Sequence, residues 1–330
     1  MNMRKIAILM LSVAFVLTSC DSNEPDVTDG LYPISFSVGS ITKVQAANVN
    51  DLVNADMRLC GIVGGQSTFS NQKIVWDETN GVWTYSPLQY WKQGAYKFRA
   101  VWPDSVYTYT DGLTGNDAVI TGFTVPSDTA KQSDLLMSGI VSGTLSDTSN
   151  PPTGISFDFR HILSKVIFKV KKETAAQDDD VFRIIEFTVT GMKNKGSYTG
   201  SNTTGTWNYA GATSLTCTKS YALPGLKIDK GVTSTDWSKA KLIWKDGLLL
   251  LPQSISGDVK VNVTFSVTHD SKTDTKSLSL SLPSPSTGGW AAGKQYTYQL
   301  DINQQYNIMF ATPIVESWGT EQPSGTVIID

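Results

Sequence analysis

The sequence predicts an all-β protein made of antiparallel β-sandwiches with Greek-key connections. Aromatic residues, Thr, Ser and Val are plentiful, and helical heptads are absent from the sequence. Short segments alternate apolar and polar residues with the period of two that a half-buried strand shows. Turn signals separate these segments, and no helical pattern comes between them, which is typical of sandwich domains.

The size and composition of the chain indicate a folded protein with two cores. Its 330 residues are enough for two domains. Hydrophobic residues make up 40% and charged residues 17%, a balance that excludes a disordered protein. The net charge of −3 gives no reason to expect nucleic acid as a partner.

Residues 1–19 carry the pattern of a bacterial lipoprotein signal peptide. A basic head precedes an apolar run of about a dozen residues, which is too short to remain as a membrane-spanning helix. The run ends in Leu17-Thr-Ser-Cys20, which resembles a lipobox, so we predict that Cys20 is acylated; the alternative is an ordinary secretory signal that ends near a cysteine. Residues 20–32 are acidic and unpatterned, and they predict a tether.

The first predicted domain covers residues 33–150. Trp76 and Trp83 flank an Asn80-Gly81 turn and are expected to be cross-strand partners. The predicted strands are Ile34–Val38, Arg58–Val63, Lys73–Trp76, Gly81–Tyr85, Tyr96–Trp102, Val119–Val125 and Asp134–Ser138.

The stretch Ile155–Val170 marks the start of the second predicted domain, residues 151–330. Apolar residues alternate up to Phe159 and resume in the opposite phase from Val166. A strand cannot move its side chains to the other face without a bulge or a break, so we predict a kink at His161–Lys165. Two prolines just upstream indicate a linker, and the strand that follows them is expected to open the second domain.

The second half repeats the strand pattern. The clearest alternation lies in Val259–Val267, and the Asp270-Ser271 pair that follows indicates a turn. The predicted strands are Arg183–Val189, Leu242–Trp244, Leu248–Leu251, Val259–Val267, Lys276–Leu282, Gln295–Ile302, Asn307–Val315 and Gly325–Asp330.

The polar residues do not form a catalytic or metal-binding pattern, so we expect neither an enzyme nor a cofactor. His161 is expected to be packed and hydrogen-bonded at the kink, and His269 to lie in a turn. Cys60 and Cys217 fall in different predicted domains, so two buried free thiols are favoured over a disulfide. The acidic run Asp178–Asp180 lacks the spacing of a calcium loop and is interpreted as a solvated surface.

An ordered set of motifs resembles the fimbrillins of Bacteroidota, the subunits of surface pili made from lipoprotein precursors. The motifs are the lipobox at Cys20, Ile34-Ser-Phe-Ser37, Leu88-Gln-Tyr-Trp91, Phe98-Arg-Ala-Val-Trp-Pro103, Asp134-Leu-Leu-Met137, Phe157–Lys165, Trp290–Tyr298 and Val315-Glu-Ser-Trp318. The resemblance implies two transthyretin-like sandwiches, no catalysis and a place at the outer membrane or cell surface.

The resemblance also implies assembly by strand exchange. A protease removes the first strand of the precursor after a basic residue, and the terminal strand of a neighbouring subunit fills the groove. The matching position here is Lys43, but the family usually has Arg before a small residue. Either a different protease acts at Lys43, or the protein stays uncut as a basal anchor or accessory subunit and Lys43 is an ordinary solvated loop residue. Arg58 is the runner-up, but it lies in a predicted strand interior. Ile308–Ile314 and Gly325–Asp330 are the candidate donors, and a proline in the first assigns it to the chain's own sheet.

The sequence leaves two functions open. The leading interpretation is a structural or accessory fimbrial subunit whose partners are other subunits, a processing protease and, through its lipid, the outer membrane. The alternative is a monomeric surface lipoprotein that binds glycan or a host protein, because the nine tryptophans could stack on sugars. Ser105 and Thr129 stand in Asp-Ser-Val and Asp-Thr-Ala triplets, which resemble the O-glycosylation sequon of Bacteroidota and make them candidate O-glycosylation sites.

Overall fold

The computed structural model describes residues 31–41 and 55–318, except residues 106, 174, 176–179, 232, 304 and 306. These residues form strands and one short 3-10 helix, Thr129–Lys131, so the all-β prediction is confirmed. The first ten strands are β1 Phe36–Ile41, β2 Met57–Val63, β3 Gln66–Asp77, β4 Val82–Thr84, β5 Gly94–Trp102, β6 Thr108–Thr110, β7 Ala118–Thr124, β8 Leu136–Ser138, β9 Val141–Leu145 and β10 Ile155–His161. The remaining strands are β11 Ser164–Lys172, β12 Val181–Lys193, β13 Lys195–Gly200, β14 Gly205–Asn208, β15 Ser214–Ser220, β16 Leu226–Ile228, β17 Lys241–Leu242, β18 Leu248–Leu250, β19 Lys260–His269, β20 Lys272–Ser281, β21 Lys294–Ile302, β22 Ile308–Phe310 and β23 Ile314–Ser317.

The first sheet contains eight strands in the order β1-β10-β8-β5-β2-β3-β4, with β9 pairing to β5. Its strand β10 was expected to open the second domain, whereas the structure places it between β1 and β8. The physical reason is that Ile155, Phe157 and Phe159 pack into the same apolar cluster as Phe36 and Phe98. Residue 150 therefore does not mark a change of sheet, and the division into two domains stays a prediction.

The predicted kink after His161 is confirmed. Strand β10 ends at His161 in the first sheet, and β11 begins at Ser164 in a six-stranded sheet. The order of that sheet is β17-β11-β21-β22, with β18 also pairing to β11 and β23 to β21. In that sheet β11 lies parallel to β21, with eight consecutive residue pairs from Lys165↔Gln295 to Lys172↔Ile302. The change of apolar phase in the sequence thus corresponds to a change of sheet.

The described residues form two further sheets. One has the order β15-β12-β19-β20, with β16 also pairing to β12. The other, β14-β13-β7-β6, joins strands from both halves, because the hairpin β13–β14 pairs with β7. The larger apolar cluster likewise draws side chains from both halves, among them Tyr109, Ile120, Phe168 and Phe187.

A buried ion pair fixes the turn of this hairpin against the first half. The Arg99 guanidinium donates to Asp111 Oδ2 at 2.8 Å and to Asn202 Oδ1 in the β13–β14 turn at 2.7 Å, and both charged side chains are fully buried. Burial raises the pKa of the Asp111 carboxyl. Removing either member of the Arg99–Asp111 pair would leave an unpaired buried charge. The hydrogen bond from Arg99 to Asn202 joins the first half to the β13–β14 turn.

Candidate functional site

Strand β1 lies at the end of the first sheet and pairs in parallel with β10, from Phe36↔Ile155 to Ile41↔Phe159. The residues just before it bond to a second segment. The Ile34 amide donates to the Gln89 carbonyl, and the Trp91 amide donates to the Tyr32 carbonyl, each at 3.0 Å. An edge strand is thus attached through its backbone to two separate parts of the first half.

The side chains of this segment fill an apolar trough. Phe36 is 6% exposed, and its ring centroid lies 5.5–6.0 Å from those of Phe69, Tyr85, Phe98 and Phe157. Tyr85 donates its hydroxyl to the Ile34 carbonyl at 2.8 Å, and burial raises the pKa of that hydroxyl to about 12. We call the trough bounded by these four aromatic residues and the edge of β10 the first-strand groove.

Gly39 adapts β1 to β10. The register shifts between Val38 and Ser40, which makes Gly39 an unpaired bulge residue. A Cβ atom at Gly39 would lie 2.3 Å from Ser156 Oγ, closer than two such atoms can approach. A side chain at this position would therefore have to displace the Ser156 hydroxyl.

The residues predicted for lipidation, processing and donation lie outside the described residues. These are Cys20, Lys43 and the segment Gly325–Asp330. Strand β1 ends at Ile41, two positions before Lys43 in the sequence. The other donor candidate forms β22 and β23, both paired with β21, which confirms its predicted place in the chain's own sheet.

His161 is a packed structural residue, as predicted. Its Nδ1 hydrogen-bonds to the Asp134 carboxylate, and its ring stacks on Trp318. His269 lies at the predicted turn, opposite Lys272, with Nδ1 2.6 Å from Asp180 Oδ1. Asp180 is buried, so this member of the acidic run is not part of a solvated surface, while its two neighbours lie outside the described residues.

Cys60 and Cys217, the two cysteines among the described residues, are free and buried, as predicted. Burial raises the pKa of the Cys60 thiol and raises that of Cys217 to about 11. Within residues 31–41 and 55–318, apart from the positions omitted above, no group of three or more His, Cys, Asp or Glu side chains could hold a metal ion.

The remaining predicted sites have ordinary surroundings. Ser105 is exposed, and Thr129 is the half-buried first residue of the 3-10 helix. Arg58 is half-buried within β2, with Nε 2.6 Å from Asp104 Oδ1, which agrees with its expected poor access to a protease. Trp76 and Trp83 are cross-strand partners with ring centroids 4.8 Å apart, as predicted.

The tryptophans do not form an exposed platform for sugars. All nine are described, and each is buried or half-buried. Sequence reasoning missed Arg99, whose only signal was a charge inside the apolar strand Tyr96–Trp102, and it did not single out Arg160 within the Phe157–Lys165 motif. In the described part of the chain, no helix has the length and apolar character needed to cross a membrane.

Comparison with known proteins identifies the family. The sequence profile described as fimbrillin-like matches residues 44–318. The chain belongs to the fimbrillin-like family. Members of this family are structural proteins of fimbriae and cell adhesion, so this fimbrillin-like protein is a non-enzymatic protein of the cell surface. A search of curated protein sequences gives no match.

Solved structures share the fold of this fimbrillin-like protein. A fimbrial protein from Bacteroides vulgatus ATCC 8482 superposes with a TM-score of 0.62 at 17% identity, covering 87% of this chain and 99% of the other. A protein from Bacteroides uniformis ATCC 8492, assigned to cell adhesion, gives a TM-score of 0.52 at 18% identity, covering 88% and 99%. At these identities the likeness establishes the fold alone.

Proposed function

We propose that this fimbrillin-like protein is a structural or accessory subunit of a cell-surface fimbria, exported as a lipoprotein precursor acylated at Cys20 and assembled by strand exchange. The observation that carries the proposal is β1, an edge strand whose apolar side chains fill the first-strand groove. Loss of β1 leaves β10 with unpaired backbone groups beside an aromatic trough. Only another extended segment can pair with these backbone groups and also fill the trough with apolar side chains.

Processing at Lys43 would cut the chain between β1 and the strands that follow it. A cut there falls two residues after the end of β1, in the segment between β1 and β2. The family match begins at residue 44, the residue that follows this position. Lys43 followed by Val44 departs from the arginine usual in the family, and a lysine-tolerant protease is therefore the expected processing partner.

The donor in this scheme is Gly325–Asp330. Strands β22 and β23 already pair with β21 in the chain's own sheet. The later apolar residues Val327, Ile328 and Ile329 are therefore the segment that would pair with a neighbouring subunit. An apolar segment of this kind aggregates unless it finds a strand partner.

The test is the formation of polymer ladders on unheated gels. The intact chain, treated with a protease that cuts after Lys43, is expected to form ladders, and a chain lacking residues 324–330 is expected to stay monomeric with unchanged circular dichroism. Ladders from the truncated chain, or no ladders even from Lys43→Arg protein treated with a trypsin-like protease, would overturn strand exchange. A monomeric surface lipoprotein would then be the better description.

A further inference from the structure

A cleft of about 420 Å³ opens at the end of β10. Its lining, which we call the Arg160 cleft, comprises Arg160, His161, Thr203, Thr204, Ser317 and Trp318, together with small residues. The cleft brings together the last residues of β10, the β13–β14 turn and the point at which β23 ends. None of the functions described above uses it.

The cleft lies on the line along which β1 runs. Because β1 is parallel to β10 and Ile41 pairs with Phe159, a strand in this position that continues by one residue comes opposite Arg160. Phe159 and His161 are buried, whereas Arg160 is half-buried, as expected where alternate side chains take opposite faces. A residue opposite Arg160 therefore has its side chain on the same face as the guanidinium.

The charge of Arg160 is not neutralised by a carboxylate among the described residues. Its Nε donates to the Asn202 carbonyl at 3.2 Å, and its Nη2 donates to the Ser201 carbonyl at 2.8 Å and the Thr204 carbonyl at 3.4 Å. Both Nη atoms also donate to the Tyr198 hydroxyl at 3.2 Å. All of these acceptors are uncharged, and Nη1 retains a second N–H for a ligand.

We propose that the Arg160 cleft binds the carboxylate of Asp330 from a second copy of this chain, as the end of the donated strand. This inference rests on the proposed function, because β1 must first leave. With Ile329 facing the groove opposite Phe159, Asp330 falls opposite Arg160 on the guanidinium side, and Val327 faces the groove opposite Phe157. A charge-assisted contact of this kind fixes register as well as adding affinity.

The terminal segment is too short to reach the groove of its own chain, so the donor must come from a second copy. Trp318 is stacked on His161, so the terminal segment starts at the far end of β10. To run parallel to β10, it must first return to Ile155, about 20 Å away at the rise of a strand. The seven steps from Trp318 to Gly325 span about 23 Å at full extension, which leaves no residues for the chain reversal. The segment cannot fill its own groove in this direction.

The test measures binding of a synthetic peptide of residues 319–330 to protein that has been cut after Lys43 and separated from the fragment that carries β1. The peptide is amidated so that Asp330 contributes only its side chain, and Asp330→Asn and Glu321→Gln peptides are compared with this parent peptide. We expect the Asp330→Asn peptide to bind on the order of tenfold more weakly. The Glu321→Gln peptide changes an acidic residue outside the paired segment and is expected to bind as the parent peptide does.

An Arg160→Gln protein completes the comparison. The Arg160→Gln protein is expected to bind the parent peptide and the Asp330→Asn peptide with equal affinity. Equal affinity here would assign the effect of the Asp330 side chain to Arg160. Arg160 also bonds to the β13–β14 turn, so thermal unfolding of the Arg160→Gln protein is recorded to check that it folds. The comparison of the peptides on unmodified protein does not depend on the folding of this variant. Equal binding of the parent and Asp330→Asn peptides to unmodified protein would overturn this inference and leave strand exchange intact. If none of the three peptides bound, strand exchange itself would be overturned.

Discussion

His161 and Trp318 stack face to face, with ring centroids 3.8 Å apart and planes 12° from parallel. His161 is the last residue of the strand that receives β1, and Trp318 is the last described residue before the terminal segment. The acceptor strand and the base of the candidate donor are therefore joined by one aromatic contact. The Trp318 amide also donates to the Gly293 carbonyl at 2.9 Å, which fixes the backbone at this point.

Replacing Trp318 by Ala is expected to destabilise the protein by about 3–5 kcal/mol, because a buried ring is lost and a cavity remains. Urea unfolding followed by far-UV circular dichroism measures the change. Trp318→Phe is the matched variant and should retain more than half of the lost stability, since a ring still covers His161. Equal loss in both variants would contradict a role for stacking.

Phe36→Ala is expected to lower the free energy of unfolding by about 3–5 kcal/mol, because the ring is surrounded by four other aromatic residues. Ser37 is the next residue on β1 and is exposed, so Ser37→Ala should change the same quantity by less than about 0.5 kcal/mol. Guanidinium unfolding of both variants makes the comparison. Similar values for the two would show that β1 is not packed as described.

Gly39→Ala is expected to destabilise the protein by about 1–3 kcal/mol, because the new Cβ overlaps Ser156 Oγ. Combining it with Ser156→Gly removes the overlapping atom and should restore part of the loss. Gly257→Ala serves as the control, since a Cβ there meets no atom within 4 Å. Thermal unfolding is measured for the unmodified protein, for the single variants Gly39→Ala, Ser156→Gly and Gly257→Ala, and for the double variant. Additive losses in the double variant would refute the proposed overlap.

Alkaline pH is expected to weaken the contribution of Cys217 to stability. Burial raises the thiol pKa from 9.0 to about 11 in the folded protein, so between these values the unfolded chain loses its proton while the folded protein keeps it. The free energy of unfolding therefore falls as pH rises through this window, by at most about 1.4 kcal/mol per pH unit. The stability difference between the unmodified protein and Cys217→Ala should shrink from pH 9 to pH 11, and a constant difference would contradict the raised pKa.

Cells fed a clickable fatty acid are expected to label the precursor of this protein, and the label should disappear in Cys20→Ala. Cys60→Ala removes a buried thiol instead and should keep the label. Sequencing the N-terminus of the surface-exposed form is expected to give Val44 after processing. Labelling of both cysteine variants to the same extent would contradict acylation at Cys20.

Local patterns in the sequence were sufficient for many of the strands and for several contacts, but not for β6, β9 or β13 to β16. The phase change around His161 predicted a break, and the Asn80-Gly81 turn predicted the pairing of Trp76 with Trp83, because both depend on neighbouring residues. The sheet that receives β10 could not be predicted, because its parallel partner β1 is more than a hundred residues away and register between distant strands leaves no local signal.

The hairpin β13–β14 shows why some strands escape sequence analysis. Its glycines interrupt the alternation of apolar and polar residues that predicts a strand. A Cβ at Gly200 would lie 2.3 Å from the Tyr198 ring, and one at Gly205 would lie 2.0 Å from the Tyr198 hydroxyl. The glycines leave room for a ring laid across the hairpin, and this packing becomes visible only in three dimensions.

The parallel pairing of β11 with β21 has a mechanical consequence. Strand β11 is joined through two residues to the acceptor strand β10, while β21 leads on to the end of the described chain. A pull on β11 at Ser164 and on β21 at Ile302 acts at opposite ends of the pair, since the strands run in the same direction. Such a load shears all eight residue pairs together, whereas an antiparallel pair pulled from one end would open one hydrogen bond at a time.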